Sequence, residues 1–343
     1  MKVTIKEIAE RAGVHRATVD KVLHNRVGVS DEVRMKVQRI IKEMGYTPNP
    51  VGRVLQKQGK KYRIEAILVD VDALPFLQKG IEQGIRKQDG FDIEVIYSIS
   101  KFQDAERQKE FIDNAIVARA DGIIISPINA ECVRQAINRA AEAGIPVVTT
   151  NADIDGIRRT CCIGADNRQS AQIAGRMMGL FLGGTGKIAV ISSAIAAVNN
   201  NYYVRERETE FADFIRREYP GLQIITTIDS FENPQITYQK TVQLLHDYTD
   251  LQGIYITCGG VSQVGRALEE SGRAKDIRVI SYEDYPEVVE LIRKDIIDCT
   301  LAGEIHKQGE LPVKIIMDYL VFGRLPPRDH VYTEIKVLVK ESL

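Results

Sequence analysis

Apolar residues recur along the first fifty positions with the period of a helix. Ile5, Ile8, Ala9 and Ala12 fall at i, i+3, i+4 and i+7, which makes one apolar face. Thr4 stands just ahead of that face and Glu7 three residues later. At this spacing an N-cap hydroxyl and a carboxylate each satisfy a backbone N–H exposed at a helix start. Gly13 then permits a sharp turn. A second helix is predicted over Arg16–Leu23, with either Ala17 or Thr18 joining Val19, Val22 and Leu23 on the inner face, while Arg16, Asp20 and Lys21 point away from it. Two short helices joined through a glycine form a helix-turn-helix, whose second member suits the major groove of DNA. Ser30 as N-cap and the stripe Val33, Val37, Ile40, Ile41 and Met44 predict a third helix, stopped at Gly45. Beyond Pro48-Asn49-Pro50, Val51 to Gln58 reads as a short helix with too little apolar surface to stand alone.

After a basic linker, Gln56 to Tyr62, the pattern alternates strand and helix. Strands are predicted at Ile64–Val71, Ile93–Tyr97, Gly122–Ser126 and Pro146–Thr150, and helices at Phe76–Lys87, Gln103–Ala118 and Val133–Ala143. The rhythm restarts with helices at Ser170–Leu182, Arg205–Glu218, Gln235–Tyr248 and Val261–Ser271, and strands at Lys187–Ser192, Leu222–Thr227, Ile254–Thr257 and Val279–Ser281. This order predicts an α/β fold: a small all-α head, then two lobes of doubly wound parallel sheet. The expected domains are a head at 1–47, a hinge helix and linker at 48–61, and a two-lobed unit at 62–343. Ligands of such sheets sit at the carboxyl ends of the strands, and two facing lobes share a cleft there. The loops in question carry Asp70, Asp72 and Phe76; Ser126 and Asn129; Asn151 and Asp153; Asn199 to Tyr203 with Arg205; Cys258; and Glu283 with Asp284. Rings and planar hydrogen-bonding groups of this kind suit a small polyhydroxylated ligand, although each residue alone fits a solvated surface or a helix cap as well.

Charge sharpens the division between head and body. The net charge is -1, but residues 1–60 hold 13 Lys/Arg against 6 Asp/Glu, and the rest of the chain holds 33 against 41. A basic head is drawn to phosphate, and an acidic body is repelled by it. A hydrophobic content of 44% is enough to fill real cores over 343 residues. Cys132, Cys161, Cys162, Cys258 and Cys299 form no CxxC and have no histidine at metal-ligand spacing, so they read as reduced thiols. No apolar run long enough for a secretion signal or membrane span is seen, and a cytoplasmic protein is expected.

Catalytic chemistry finds little support in the chain. Gly183-Gly-Thr-Gly-Lys187 resembles a phosphate loop, but Ile188 follows the lysine and a strand comes next instead of a helix, so it reads as a turn. None of His15, His24, His246, His306 and His330 accompanies a serine or cysteine in a nucleophile context. Glu283 and Asp284 have the chemistry of an acid–base pair, yet adjacent carboxylates in a strand loop more often bind hydroxyls or water. No enzyme, cofactor or metal is predicted.

Val3-Thr4-Ile5, Ala12-Gly13-Val14, Ala17-Thr18-Val19, Val22-Leu23, Val29-Ser30, Gly45-Tyr46 and Pro48-Asn49 together resemble the N-terminal signature of LacI-type bacterial regulators. The body, from about Ile64 to Val339, resembles the sugar receptors of the ribose-binding-protein type, most closely in Gly122-Ile-Ile-Ile-Ser126, Gly144-Ile-Pro-Val147, Ile163-Gly-Ala-Asp-Asn167 with Gly175, and Arg205-Glu-Arg207. The resemblance implies three crossings between lobes, near Ala165, Gly303 and His330. Lobe one is then about 62–164 with 304–329, and lobe two about 165–303 with 330–343. It also places Phe76 as a ring that packs on a sugar and Arg205 as the arginine that binds its hydroxyls. Asn151 and Glu283 are partial matches to aspartates. Ala152, Cys258 and Gly303 depart from an arginine, an asparagine and a glutamine of ribose receptors, which argues against ribose itself.

The expected effector set is therefore Asp72, Phe76, Ser126, Asn151, Asp153, Tyr203, Arg205, Cys258 and Glu283. At double-stranded operator DNA, Arg16, Ala17 and Lys21 are expected at base edges, with His15 and Thr18 near phosphates. Asp20 either accepts from cytosine N4 or neutralises a neighbouring cation, and Thr4 and Asn25 complete the set. By resemblance, Leu55 wedges between base pairs from the minor groove. The expected protein is a transcription regulator of repressor type, a homodimer or a higher oligomer, controlled by a sugar or polyol. The alternatives are a purine or other non-sugar effector, and a receptor or enzyme with a vestigial head. If Leu55 is the wedge, Leu55→Ala weakens binding to a specific operator far more than to random DNA in a filter-binding titration, whereas equal losses on both would remove it from that role.

Overall fold

The computed structural model describes residues 3–23, 28–44, 59–193 and 202–343. Asn25, Gly45, the helix expected at Val51–Gln58 with Leu55, and Asn199 to Asn201 lie outside them. The chain divides into two compact units, Met1–Gln58 and Gly59–Leu343.

In the first unit, α1 (Ile5–Ala12), α2 (Arg16–Leu23) and α3 (Asp31–Glu43) share one small core of Ile8, Ala9, Ala12, Val19, Val22, Val37 and Ile40. The capping box at Thr4 is formed. The Thr4 N–H donates to Glu7 Oε2 at 2.7 Å, and the Glu7 N–H donates to Thr4 Oγ1 at 3.3 Å. The bond from the Thr4 backbone N–H is the main reason the Glu7 carboxyl is held below its ordinary pKa. Gly13 takes φ +65°, the left-handed conformation that ends α1 without strain. The Ser30 hydroxyl caps α3 through the Val33 N–H.

The second unit consists of two six-stranded sheets. The first contains β1 (Lys61–Asp70), β2 (Asp92–Lys101), β3 (Gly122–Ile125), β4 (Val147–Thr150) and β5 (Cys161–Ala165), interleaved with α4 (Leu74–Arg86), α5 (Ala105–Val117) and α6 (Glu131–Glu142). After β5 the chain leaves for the second lobe: α7 (Asn167–Phe181), β6 (Thr185–Ser192), α8 (Tyr202–Glu218), β7 (Gly221–Asp229), α9 (Pro234–Asp247), β8 (Gly253–Ile256), α10 (Val261–Ser271), β9 (Arg278–Tyr282), α11 (Pro286–Arg293) and β10 (Cys299–Ala302). It returns to the first lobe as α12 (Ile305–Phe322) and β11 (His330–Thr333), and ends in the second sheet as β12 (Lys336–Leu338). The strand orders are β11-β5-β4-β3-β1-β2 and β12-β10-β9-β8-β6-β7, with only β12 antiparallel to its neighbour. The central strands are buried on both faces, which is why Ala66, Ile67, Leu68 and Val69 read as an unbroken apolar run and not as an alternating one.

Three sequence expectations are corrected here. Strand β1 begins at Lys61, inside the expected linker, because Lys61 and Tyr62 pair in register with Asp92 and Ile93, and the Tyr62 ring is buried edge-on to Phe91 at 6.0 Å. Strands β5, β10, β11 and β12 and helices α11 and α12 are additional to the predicted set. The third crossing lies after Thr333, not near His330, because His330 to Thr333 pair in parallel with Cys162 to Ala165 and so belong to the first lobe.

Helices α4 and α12 pack almost backbone to backbone. A Cβ at Gly80 would lie 2.2 Å from the His306 carbonyl oxygen, and one at Gly309 would lie 2.3 Å from that of Leu77. No such contact is tolerable without separating the helices. Gly80→Ala is therefore expected to lower stability by about 1–3 kcal/mol, read as a shift in the urea midpoint of the second unit; an unchanged midpoint would contradict the close approach.

Candidate functional site

On the head, α2 is set on its core by Val19 and Val22, both buried. That phase exposes Arg16, Ala17 and Lys21 and leaves Thr18 and Asp20 half-buried, so Thr18, not Ala17, joins the inner face. His15 is exposed, and its carbonyl receives the Thr18 and Val19 N–H groups at 2.8 and 3.3 Å, which starts the helix. Thr4 is exposed with its hydroxyl engaged in the capping box. A helix presenting two cations and a methyl from consecutive turns is chemically suited to phosphates and base edges.

In the second unit a cleft of about 120 Å³ opens between the lobes at the carboxyl ends of the strands. Of the expected residues, Asp72, Asn151, Tyr203, Cys258 and Glu283 line it. Asn151 and Glu283 hold φ values of +59° and +66°, conformations that cost about 1–3 kcal/mol each for non-glycine residues and are kept by the surrounding bonds. At Glu283 those bonds are its N–H to Leu301 O at 3.0 Å and the Thr300 hydroxyl to its carbonyl at 2.7 Å. Burial pushes the Glu283 carboxyl up, and one of its oxygens accepts the Gly303 N–H at 3.1 Å. Burial also pushes up the Cys258 thiol, which lies 3.3 Å from the Ser230 hydroxyl.

Four expected residues lie elsewhere. Phe76 has one ring face covered by Tyr285, stacked at 4.5 Å, and an edge contact with His306, so it joins the lobes and is not among the residues lining the cleft. Ser126 is buried and donates to Thr150 O at 2.8 Å. Asp153 lines a second cavity. Arg205 is exposed on the outer side of α8, and Arg207 faces the cleft in its place. Helical phase explains the exchange: Val204, Phe211 and Ile215 form the buried face of α8, and Arg207 stands three residues from the first and four from the second. That signal was present in the sequence. Arg207 lies 3.7 Å over the Tyr282 ring, with Nε donating to Asn167 Oδ1 at 2.8 Å and Nη1 to Thr257 O at 3.1 Å. Glu232, Glu287, Phe102, Tyr282 and Tyr285 are among the lining residues that sequence reasoning missed. Glu232 follows a strand end with φ +50°, and burial pushes its carboxyl up.

Residues 66–324 match the family described as periplasmic binding protein domain, and residues 4–49 match bacterial regulatory proteins, lacI family. The chain belongs to the periplasmic-binding-protein domain family and carries a head of the lacI family. Among curated relatives, the ribose operon repressor of Lactococcus lactis is 27% identical over 225 residues, which is 63% of this chain and 64% of that one. Catabolite control protein A of Staphylococcus epidermidis is 30% identical over 161 residues, 45% of each chain. These alignments span less than two thirds of the relatives' lengths. Among solved structures, a solute-binding protein from Burkholderia graminis in complex with D-arabinose superposes with TM-score 0.74 at 23% identity, covering 82% of this chain and 96% of that one. One from Bacillus halodurans with bound myo-inositol gives TM-score 0.72 at 19% identity, over 82% and 96%. At such identities the likeness is one of fold.

The second cavity of this lacI-type chain, about 320 Å³, adjoins the first crossing. Asp153 is buried there against Arg159 at 2.6 Å and accepts from the Thr149 hydroxyl at 2.9 Å. Arg159 Nη2 also lies 3.0 Å from His330 Nε2. A guanidinium only donates, so that ring nitrogen accepts. Tyr203 OH lies 3.2 Å from Cys162 Sγ and so ties α8 of one lobe to β5 of the other. Burial pushes the Cys162 thiol up to about 11. Asp153, Cys162 and His330 bring three metal-donor atoms within 4.8 Å of one another, although His330 is distant in sequence from the other two. The fixed charge of Arg159, in contact with two of the three side chains, takes the place a cation would need. Among the described residues no helix is long and apolar enough to cross a membrane.

Burial raises the Asp153 carboxyl even with Arg159 beside it. In Arg159→Ala that carboxylate is buried without its partner, at a cost of about 3 kcal/mol. Protonating Asp153 relieves the cost, so the deficit against the unmodified protein should grow as pH rises through the raised Asp153 pKa and shrink below it. Urea titrations at several pH values test this, and a deficit independent of pH would show that Asp153 is not the group left unpaired.

Proposed function

We propose that this protein is a ligand-responsive, DNA-binding transcription regulator of repressor type, binding a palindromic operator as a homodimer. A small sugar or polyol in the inter-lobe cleft sets how firmly it binds. The observation that carries the reading is the pairing, in one chain, of a capped helix-turn-helix exposing Arg16, Ala17 and Lys21 with a cleft whose walls come from both lobes. Its ligand-facing groups are thereby sensitive to how the lobes sit. The repressor and catabolite control proteins it resembles carry regulatory names, which supports the same role.

In this reading, two heads place Arg16, Ala17 and Lys21 at base edges of successive major grooves, with His15, Thr18, Thr4 and Asn25 at the backbone and Leu55 in the minor groove. Asp20 balances the neighbouring cations. In the cleft, Asn151, Asp72 and Glu283 accept from or donate to ligand hydroxyls, and Arg207 takes the role expected of Arg205. A ligand that favours one lobe arrangement by about 1–3 kcal/mol changes operator affinity by roughly 5–150-fold. The protein acts in the cytoplasm, at the nucleoid.

A footprint on an inverted repeat that weakens steeply with salt is the expected result, and no preference for any inverted repeat would overturn the reading. Within it, Arg207→Met should abolish the effect of ligand on operator binding while Arg205→Ala retains it, both measured by fluorescence anisotropy. Loss of response in Arg205→Ala alone would reverse the assignment of the two arginines.

A further inference from the structure

Two carboxylates from opposite lobes converge on one turn in the cleft. Asp72 follows β1 of the first lobe, and Glu232 follows β7 of the second. Their oxygens lie 3.0 and 2.5 Å from the point a Cβ would occupy on Gly259. The Gly260 N–H donates to Asp72 Oδ2 at 3.4 Å, at the start of α10. The N-terminus of a helix offers about half a positive charge, too little for two carboxylates. Burial is the largest cause of the upward shift of Glu232, and Asp72 adds to it, against hydrogen bonds from Ser193 and the Gly259 backbone and the charge of Arg207, which lower it.

The rest of the lining is acidic on balance. Glu283 and Glu287 are the other acids there, and Arg207 is the one basic residue among the described lining residues. Arg207 already donates to Asn167 and Thr257 and lies over Tyr282. Residues 194–201, which precede α8, contain no charged side chain, so they leave this balance unchanged. An anionic ligand would meet four carboxylates and one engaged guanidinium. A cationic one would meet those carboxylates together with the ring of Phe102, whose face attracts positive charge; the Tyr282 ring already carries Arg207, and Tyr285 stacks on Phe76.

We propose that the cleft takes a hydroxylated ligand bearing a protonated nitrogen, an amino sugar or amino polyol, whose ammonium sits between Asp72 and Glu232, in preference to a phosphorylated or carboxylated compound. The inference rests on the cleft being the effector site. The ammonium neutralises the pair as the lobes meet, and the hydroxyls engage Asn151, Glu283 and Arg207.

The test is thermal unfolding and calorimetric titration of the full-length protein with matched probes at about 10 mM, since a compound that binds only the folded state raises the midpoint. The amines are glucosamine, galactosamine, mannosamine and N-methylglucamine. The neutral partners are glucose, galactose, mannose and sorbitol, and the anionic ones are the three hexose 6-phosphates. At least one amine should raise the midpoint more than its neutral and phosphorylated counterparts. Its affinity should fall by at least about tenfold in Glu232→Gln and in the exposed-site variant Asp72→Asn, as expected when one partner of a close charge pair is removed. Tighter binding of a neutral or phosphorylated member overturns the charge assignment; if that binding is lost in Arg207→Met, the cleft still stands as the effector site. No response from any probe overturns both.

Discussion

The arrangement of the second unit depends on a buried polar knot around Gly303. Its carbonyl accepts from the Gln308 side-chain amide at 2.8 Å and from the Thr333 hydroxyl at 2.6 Å, and its N–H donates to Glu283. A Cβ on Gly303 would lie 3.1 Å from that of Ala165. Ala165 ends the first crossing strand, Gly303 forms the second crossing, and Thr333 immediately precedes the third. All three passages between lobes are thus fastened within one small volume. Leaving any of these buried groups without a partner costs about 1–3 kcal/mol, so the crossings keep a fixed register while the lobes beyond them have only short connections to rotate about.

That knot reaches directly into the cleft, because Glu283 belongs to both. One carboxylate oxygen holds the second crossing, and the side chain lines the cavity. Under the proposed function, a ligand that engages Glu283 acts on the second crossing without an intervening relay. Asp72 and Phe76 provide the opposing term: the Asp72 contact with the Gly260 N–H and the stack of Phe76 on Tyr285 join the lobes at the mouth of the cleft. An exposed contact of this kind is worth little by itself, and a stacked pair about 0.5–1.5 kcal/mol beyond its burial. Lobe closure is then a shallow equilibrium, the kind a ligand with modest differential affinity is able to shift.

How far this was legible in the sequence follows from how local each signal is. Thr4, Glu7, Gly13 and Ser30 act within one helical turn, and the structure places each cap where the residue pattern puts it. The repeating strand and helix pattern was equally plain, because β1, β3 and β6 are long or wholly apolar runs. The four additional strands have three to five residues, and β5, β10 and β11 owe their pairing to partners far along the chain. Phe76 and Arg205 were misplaced for a different reason. Each lies on the right element, but which side chain reaches a cleft is decided by helix rotation against a core and by which ring covers which, as Val204 and Phe211 do for Arg207 and Tyr285 does for Phe76. Asp153 was misplaced because its partner, Arg159, and its neighbour His330 are joined to it only through the fold.

Tyr203 joins the two cavities. It lines both the cleft and the second cavity, and its hydroxyl meets Cys162 on the strand that leads into the first crossing. On α8 it stands one helical turn before Arg207, so any shift of that helix on ligand contact is felt at Cys162 as well. The cleft thus bears on the crossings at two places, through Glu283 at Gly303 and through Tyr203 at Cys162. A rigid helix anchored at one point can pivot, but one held at two points transmits its displacement. In the proposed regulator, coupling to the head needs only that displacement to be reproducible, since an equilibrium responds to the difference between two defined arrangements and not to the size of the movement.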